Sequence, residues 1–477
     1  MDSIIYGLGT LVRNIASFIM LPIYTRYLNP EDYGAVEMLT LSVSLFSLLI
    51  GLRITQSMFR FYLLEENIEL KKRVVSTVLV AVSILSVSMA ALVFVYAQEI
   101  VVLIFKNNIY IYEFKLFVFT LVTSAISQVG MSYIQMIRKP KLYVALSIFT
   151  LLLQIGFNLY YVVYLELHVA GVVYGSLSSG LIIMIVMFIY LTKSNGCRFK
   201  KDLFVRIFKY TVPMITASSV GFYVGFIDKY LLNLYEGLFA VGILAVSSRF
   251  ASVVQTVYGV FNQSWMAARF DVYKDVGKHY IFRDVFRYLV IFVGILGITV
   301  ALFSADVIYW MATESYYQSA KVVPYLVLAV IFNSFLSFFN LGILIHEKTG
   351  HLFYAVLLKA VIATVFYIAL IPSYGVFGLA FGLVVANFAE TFYVYIASRR
   401  HFDMGLSFNK AIIVLMVYVL VVIFNGVFNI SGWPSFLLHI FSLVIFVCLL
   451  FIFGVINRAD LGGIHKLLRG GRSSPSD

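Results

Sequence analysis

The sequence predicts an all-α integral membrane protein of about fourteen transmembrane helices. They form two pseudo-symmetric six-helix lobes, with two further helices at the C-terminal end. Three observations carry this reading. Of 477 residues, 62% are hydrophobic, 17% aromatic and only 12% charged, with a mean hydropathy of +0.96; a soluble domain carries about 25% charged residues. Apolar runs of about 20 residues, the length that spans a bilayer as a helix, recur along the whole chain. Lysine and arginine gather in alternate connections between those runs, as they do on one side of a membrane.

The runs lie at 4–28, 35–62, 74–97, 114–137, 142–164, 169–192, 210–234, 238–264, 285–310, 322–345, 352–372, 376–398, 410–429 and 435–456. Their length excludes a barrel, whose strands alternate over about ten residues. The even-to-odd connections and the tail hold twenty-five lysines and arginines, from Lys71, Lys72 and Arg73 to Arg472; the opposite connections hold four, Arg26, Lys106, Lys115 and Lys321. This asymmetry places both termini in the cytoplasm. Met1-Asp2-Ser3 lacks a positive n-region and the first apolar run is too long for an h-region, so that run reads as a span and not as a cleaved signal.

The domain order follows from the charge pattern and from internal similarity. Residues 1–192 form an N-lobe of spans one to six, and 193–209 a basic cytoplasmic linker. Residues 210–400 form a C-lobe of spans seven to twelve, 401–457 carry spans thirteen and fourteen, and 458–477 read as a disordered cytoplasmic tail. Val169-Ala170-Gly171-Val172-Val173-Tyr174-Gly175 matches Val376-Phe377-Gly378-Leu379-Ala380-Phe381-Gly382 at an offset of 207 residues. Asp32-Tyr33-Gly34-Ala35-Val36 resembles Gly237-Leu238-Phe239-Ala240-Val241, and Arg60-Phe61 echoes Arg269-Phe270. An offset of six spans preserves orientation, which implies a parallel repeat about an axis along the membrane normal. The Gly-xxx-Gly steps at Gly171/Gly175, Gly378/Gly382 and Gly221/Gly225 suit close helix packing.

Several functions are excluded. The net charge of +12 and pI of about 9.4 come from loop caps, not from one aromatic-interleaved patch, so no nucleic-acid partner is expected. Cys197 and Cys448 fall in different environments without CxxC or Cys/His spacing, and the seven histidines show no i, i+4 pair; neither a disulfide framework nor a metal site is expected. No phosphate-binding G-x-x-x-x-G-K-[ST] loop is present, so the chain has no nucleotide-driven motor of its own. Short connections leave no outer domain for a catalytic site, and the protein is expected not to be an enzyme.

The informative residues are charges inside spans, which are costly unless they face a wet cavity or a partner. Arg13, Arg53 and Arg249 lie within spans one, two and eight. Arg53, Gln56 and Arg60 share one face at i, i+3, i+7 spacing, although Arg60, like Lys359, is near enough to an end to snorkel. Guanidinium groups stay charged and grip phosphate bidentately, so arginines drawn from both lobes to a shared cavity suit a pyrophosphate. Pairing of each arginine with a carbonyl or an acid on a neighbouring helix is the competing reading. Among the acids, Glu37 falls near the outer end of span two and reads as interfacial. Asp228, with Asn387 or Glu390, offers oxygens for a cation or a proton relay, against the alternative of a salt bridge from Asp228 to Lys229 or another helix.

The stretch Leu21-Pro22-Ile23-Tyr24-Thr25-Arg26-Tyr27-Leu28-Asn29-Pro30-Glu31-Asp32-Tyr33-Gly34 resembles the opening signature of polysaccharide-biosynthesis flippases, within the multidrug/oligosaccharidyl-lipid/polysaccharide exporter superfamily. The Arg13 position and Arg60-Phe61-Tyr62 resemble that family too. The likeness is specific over 6–62 and otherwise lies in topology. It implies two lobes around a central cavity, alternating access, a polyprenyl-pyrophosphate-linked oligosaccharide as cargo, and the cytoplasmic (inner) membrane as the expected location. Fourteen spans are similar to the related lipid II flippase, in which cavity arginines on spans one, two and eight act on the cargo; Arg13, Arg53 and Arg249 occupy comparable spans. That relative also uses a sodium site with an acid on span seven, where Asp228 stands; its partners on spans eleven and twelve have no clear match here. No cofactor is implied beyond Na+ or H+ as coupling ion, and the partners implied are the lipid-linked saccharide and membrane lipids.

Three alternatives remain at this stage: a cation-coupled multidrug antiporter of the same superfamily, a membrane glycan ligase or polymerase, and a non-transporting partner of other glycan-synthesis membrane proteins. The basic cavity argues against the first, and the short outer loops argue against the second.

Overall fold

Asn29 and Pro30 set the start of the first helix whose both ends are defined. The computed structural model describes residues 18–48, 53–275, 277, 279–427 and 433–456. In it the Asn29 side chain accepts the Asp32 N–H at 2.7 Å, and Pro30, which has no N–H to leave unpaired, opens helix α1 (Pro30–Ser47). Glu31 and Asp32 add negative charge at that end of the helix dipole. The helix thus begins five residues before the expected limit of span two at 35.

The chain continues through α2 (Arg53–Leu64), α3 (Ile68–Val95), α4 (Ala97–Phe105), α5 (Ile111–Val118) and α6 (Thr120–Met136). Next come α7 (Pro140–Asn158), which runs into a π-helical turn at Leu159–Tyr164, and α8 (His168–Asn195). Then follow α9 (Lys201–Lys274), α10 (Tyr280–Met311), α11 (Gln318–Phe339), α12 (Leu341–Ile345), α13 (Gly350–Arg399), α14 (Asn409–Val427) and α15 (Trp433–Ile452). Every regular element among the described residues is helical. The stretch 98–113, expected as a connection, is largely helix α4, whose Ala97, Val101, Ile104 and Phe105 are buried.

Ten helices among the described residues are long and apolar enough to cross a membrane, against the fourteen spans expected. Two of the ten far exceed the roughly 20 residues one crossing needs: Ser218–Lys274 with 57 residues and Gly350–Arg399 with 50. Each breaks at one glycine in the left-handed region, Gly237 (φ +81°) and Gly375 (φ +55°), where a side chain would be strained. These glycines fall where the sequence separates spans seven from eight and eleven from twelve. The expected spans one and two lie partly on residues outside the described set, and the tail from 458 lies wholly outside it.

The chain divides into two compact units. The first takes in Met1–Arg249, Met311–Ser319 and Phe353–Ala386. One core in it joins Ile54 and Met58 of α2, Val75, Val78 and Val82 of α3, Val129 of α6, Leu191 of α8, and Ile207. Between helices in hydrocarbon, such packing rests on dispersion and shape. The Ser57 and Thr211 hydroxyls hydrogen-bond at 2.7 Å inside it. The matching sequence stretches make matching contacts: a Cβ on Gly171 would strike the Tyr161 carbonyl, and one on Gly378 the Leu370 carbonyl. Four residues on, Gly175 meets Asn158, and Gly382 meets Phe366 and Tyr367. By contrast, a Cβ on Gly221 or Gly225 would meet nothing within 4 Å.

The second unit holds Phe250–Trp310, Ala320–Leu352 and the chain from Asn387. Its centre is aromatic: Trp265 stacks on Phe338 with centroids 5.6 Å apart, and Phe286 contacts Phe335, Phe338 and Phe339. Arg269, counted from sequence as a loop cation, lies instead on α9 and is fully buried. It donates to the Ser337 carbonyl at 3.1 Å and the Asn340 side-chain oxygen at 2.9 Å. The helix runs ten residues past the expected limit of 264, so a residue read as a cap becomes a buried tie. Asp306 of α10 joins α15 through His439 (Nδ1 to Oδ2, 2.7 Å) and the donating Ser435 hydroxyl (3.0 Å).

Candidate functional site

Two of the charges that the sequence places inside spans, Lys229 and Arg249, meet Glu37 in the first unit. This residue lies seven positions into α1, which puts it about 10 Å along the helix from Pro30 at 1.5 Å per residue. The sequence placed it two residues into span two; in the structure it lies one turn further into its helix and is largely buried. Its Oε1 accepts from Lys229 Nζ at 2.9 Å, and its Oε2 faces Arg249 Nη2 at 3.6 Å. The Glu37 and Lys229 side chains are 16% and 15% exposed, whereas that of Arg249 is 39% exposed. The Arg249 guanidinium also engages the hydroxyl of Tyr33, one turn before Glu37 and buried.

The local fold explains this convergence. Lys229 precedes the Gly237 bend of α9 and Arg249 follows it, so Glu37 holds both limbs of the bent helix. Two glycines bring the backbones together just beside it. A Cβ on Gly34 would collide with the Leu238 carbonyl, and one on Gly242 with the Pro30 carbonyl. Only residues without side chains permit this crossing. Buried charges require partners, and here two cations share one carboxylate.

The other expected site residues are distributed as follows. Arg13 lies outside the described residues. Arg53 opens α2, and its side chain lies outside what is described. Gln56 and Arg60 are exposed on α2, on the side opposite the buried Ile54 and Met58, and the Arg60 guanidinium sits 4.4 Å over the Tyr210 ring. Asp228 adjoins Lys229; its Oδ1 accepts the Lys229 backbone N–H at 2.6 Å, and Lys359 is among its electrostatic neighbours. Asn387 and Glu390, both buried and one turn apart on α13, belong to the second unit. A cavity of about 580 Å³ in the first unit is lined by Ser219, Tyr223, Ala360, Thr364 and Val365 among others, with the Tyr223 and Thr364 hydroxyls 3.1 Å apart. The sequence reading missed Lys229 as a site residue, although its signal was present: a lysine within span seven has to find an anion.

Among the described residues, ten helices long and apolar enough to cross a membrane, two of them bent at glycines, and a basic cluster within one of them define the class as a multi-span membrane protein. The chain belongs to the polysaccharide biosynthesis protein family, whose sequence profile matches residues 1–266. Its fold is shared with the lipid II flippase MurJ in an inward closed conformation, at a TM-score of 0.75 and 14% identity over 96% of this chain and 99% of that one. It is also shared with a multidrug resistance MATE family transporter of the MOP superfamily. The inward-facing form gives a TM-score of 0.64 at 14% identity over 83% of this chain and 95% of that one. The outward-facing form gives 0.55 at 13% identity over 83% and 94%. No curated protein sequence matches the chain.

Proposed function

We propose that this protein is a flippase that carries a polyprenyl-pyrophosphate-linked oligosaccharide across the cytoplasmic membrane by alternating access, without making or breaking a bond. The observation that carries the reading is the pair of membrane-embedded cations, Lys229 and Arg249, gathered around a single carboxylate in a chain of the polysaccharide biosynthesis family. Such a cluster suits an anionic cargo, because guanidinium and ammonium groups replace the water that a pyrophosphate loses.

In this reading the chain has fourteen spans in two six-helix lobes plus a final pair, with both termini cytoplasmic. Arg13, Arg53 and Arg249 line the chamber between the lobes, Gln56 and Arg60 extend it toward the cytoplasm, and the polyprenyl tail stays in lipid. Asp228, with Asn387 or Glu390, holds the coupling Na+ or H+. The membrane potential biases the return step, since each charge moved is worth about 2.3 kcal/mol per 100 mV. The fold likeness to multidrug transporters supports a second reading, a cation-coupled drug antiporter. That cargo favours an acidic cavity, opposite in sign to this one. A glycan ligase or polymerase needs a catalytic surface that the short connections do not supply.

The test is complementation of a cell lacking its own flippase, with Arg13, Arg53 and Arg249 each changed to alanine. Loss of glycan export with normal membrane insertion is expected. Full export by all three variants would exclude the site, and export of a cationic dye in place of the glycan would favour the antiporter.

A further inference from the structure

We propose that Glu37 is a built-in stand-in for the cargo's phosphate. Its carboxylate occupies the anion site of Lys229 and Arg249 in the unloaded protein, and an incoming pyrophosphate displaces it. The displacement removes the carboxylate contacts that tie α1 to both limbs of the bent helix α9. This rests on the flippase reading and adds to it two residues, Glu37 and Lys229, and a link between loading and movement.

The argument starts from charge. A carboxylate and a phosphate present the same oxygen acceptors to ammonium and guanidinium groups, so a site built for one accepts the other. Lys229 and Arg249 carry two positive charges against one on Glu37; Asp228 beside Lys229 and Lys359 near Asp228 bring the cluster to three cations against two acids. The cluster is therefore left with an excess positive charge, which a multiply charged pyrophosphate neutralises better than a single carboxylate. Geometry adds an order of events. The Lys229 contact is short and shielded, at 2.9 Å, whereas the Arg249 contact is long, at 3.6 Å, on a side chain 39% exposed. A ligand meets Arg249 first and Lys229 second.

The consequence is mechanical. Glu37 is the only acid on α1 beyond its first turn, and it bonds one residue before the Gly237 bend and one after it. When phosphate takes its place, the charges that hold α1 to α9 at that depth are lost. What remains there is the glycine crossing of Gly34 and Gly242, which carries no charge, and the uncharged Tyr33 hydroxyl against Arg249. An internal competitor also taxes affinity, because the ligand binds only the fraction of molecules in which Glu37 has let go.

The experiment is equilibrium binding of inorganic pyrophosphate and of farnesyl pyrophosphate to the full-length protein in lipid nanodiscs. Glu37→Gln keeps the shape and removes the competing charge; it is expected to bind pyrophosphate about tenfold more tightly than the unmodified protein, within the usual range of coupling between linked sites. Lys229→Gln is expected to bind about tenfold more weakly. If the unmodified protein binds and Arg249→Gln abolishes binding, but Glu37→Gln leaves the affinity unchanged, the stand-in idea is wrong and the flippase reading survives. If no variant binds either probe, both are wrong. Should Glu37→Gln not fold, Glu37→Asp, with a shorter reach to Lys229, is expected to tighten binding by a smaller factor, and an unchanged affinity there counts equally against the proposal.

Discussion

Gly242→Ala is the sharpest stability probe of the helix crossing beside Glu37. A Cβ at position 242 would overlap the backbone carbonyl of Pro30, and a backbone atom cannot rotate away as a side chain can. Relief requires α1 and the second limb of α9 to move apart. Overpacking of this kind costs about 1–3 kcal/mol. Replacing a helical glycine returns about 1 kcal/mol through backbone entropy, leaving a net loss of roughly 0–2 kcal/mol, which is about 1–3 kcal/mol against a glycine-to-alanine change that meets no overlap. For a chain longer than 250 residues that corresponds to a fall in Tm of about 1–4 °C. The assay is thermal unfolding of the purified protein in one detergent, with Gly221→Ala and Gly225→Ala as controls, because a Cβ at either control meets nothing within 4 Å. The controls should melt at or slightly above the unmodified protein. Gly34→Ala, which strikes the Leu238 carbonyl across the same crossing, should behave like Gly242→Ala, and the double variant should lose less than the sum, since one displacement relieves both overlaps. A Gly242→Ala protein that melts with the controls would refute the close approach.

Lys229→Met leaves Glu37 with only the longer Arg249 contact; because both partners keep about 15% of their exposure, a loss of about 1–3 kcal/mol is expected in the same melt, while Lys229→Arg should lose less. A double-mutant cycle with Asp306→Leu and His439→Leu should return a coupling of about 1–3 kcal/mol, whereas strict additivity would deny the buried pair. At Asp403, the Gly405 N–H and then Arg399 hold the carboxyl below its usual range. The stability it gives its loop is therefore present above the ordinary carboxylate pKa and lost as pH falls through the depressed folded value. Amide exchange at Gly405, corrected for intrinsic rate, should rise over that acid window, and Asp403→Asn should remove the pH dependence.

Much of the architecture was legible because hydrocarbon imposes a simple rule on sequence: long apolar runs, charged ends. The bends at Gly237 and Gly375 fall in the gaps read between spans, and Gly171 and Gly378, matched at an offset of 207, each lie against a backbone carbonyl of the preceding helical segment. The site was less legible, for two reasons. Helix limits were read from apolarity, whereas Asn29 and Pro30 start α1 by capping, so Glu37 lies seven residues into the helix and not two. The same error hid Arg269, since α9 continues past the apolar run and buries it against Ser337 and Asn340. Second, a sequence gives the depth of a charge but not its neighbour. Arg249 and Asp228 were singled out as charges within apolar runs, yet only the helix crossing at Gly34 and Gly242 reveals that Glu37 meets Arg249 and Lys229.

The central claim, that these embedded cations serve an anionic lipid-linked cargo, is tested most directly in proteoliposomes. The purified protein is reconstituted with a fluorescent polyprenyl-pyrophosphate oligosaccharide, and transbilayer movement is followed by access of an external quencher. The account predicts protein-dependent movement that Arg249→Gln abolishes without loss of reconstitution. Movement at the protein-free rate, or movement that Arg249→Gln leaves unchanged, would contradict it.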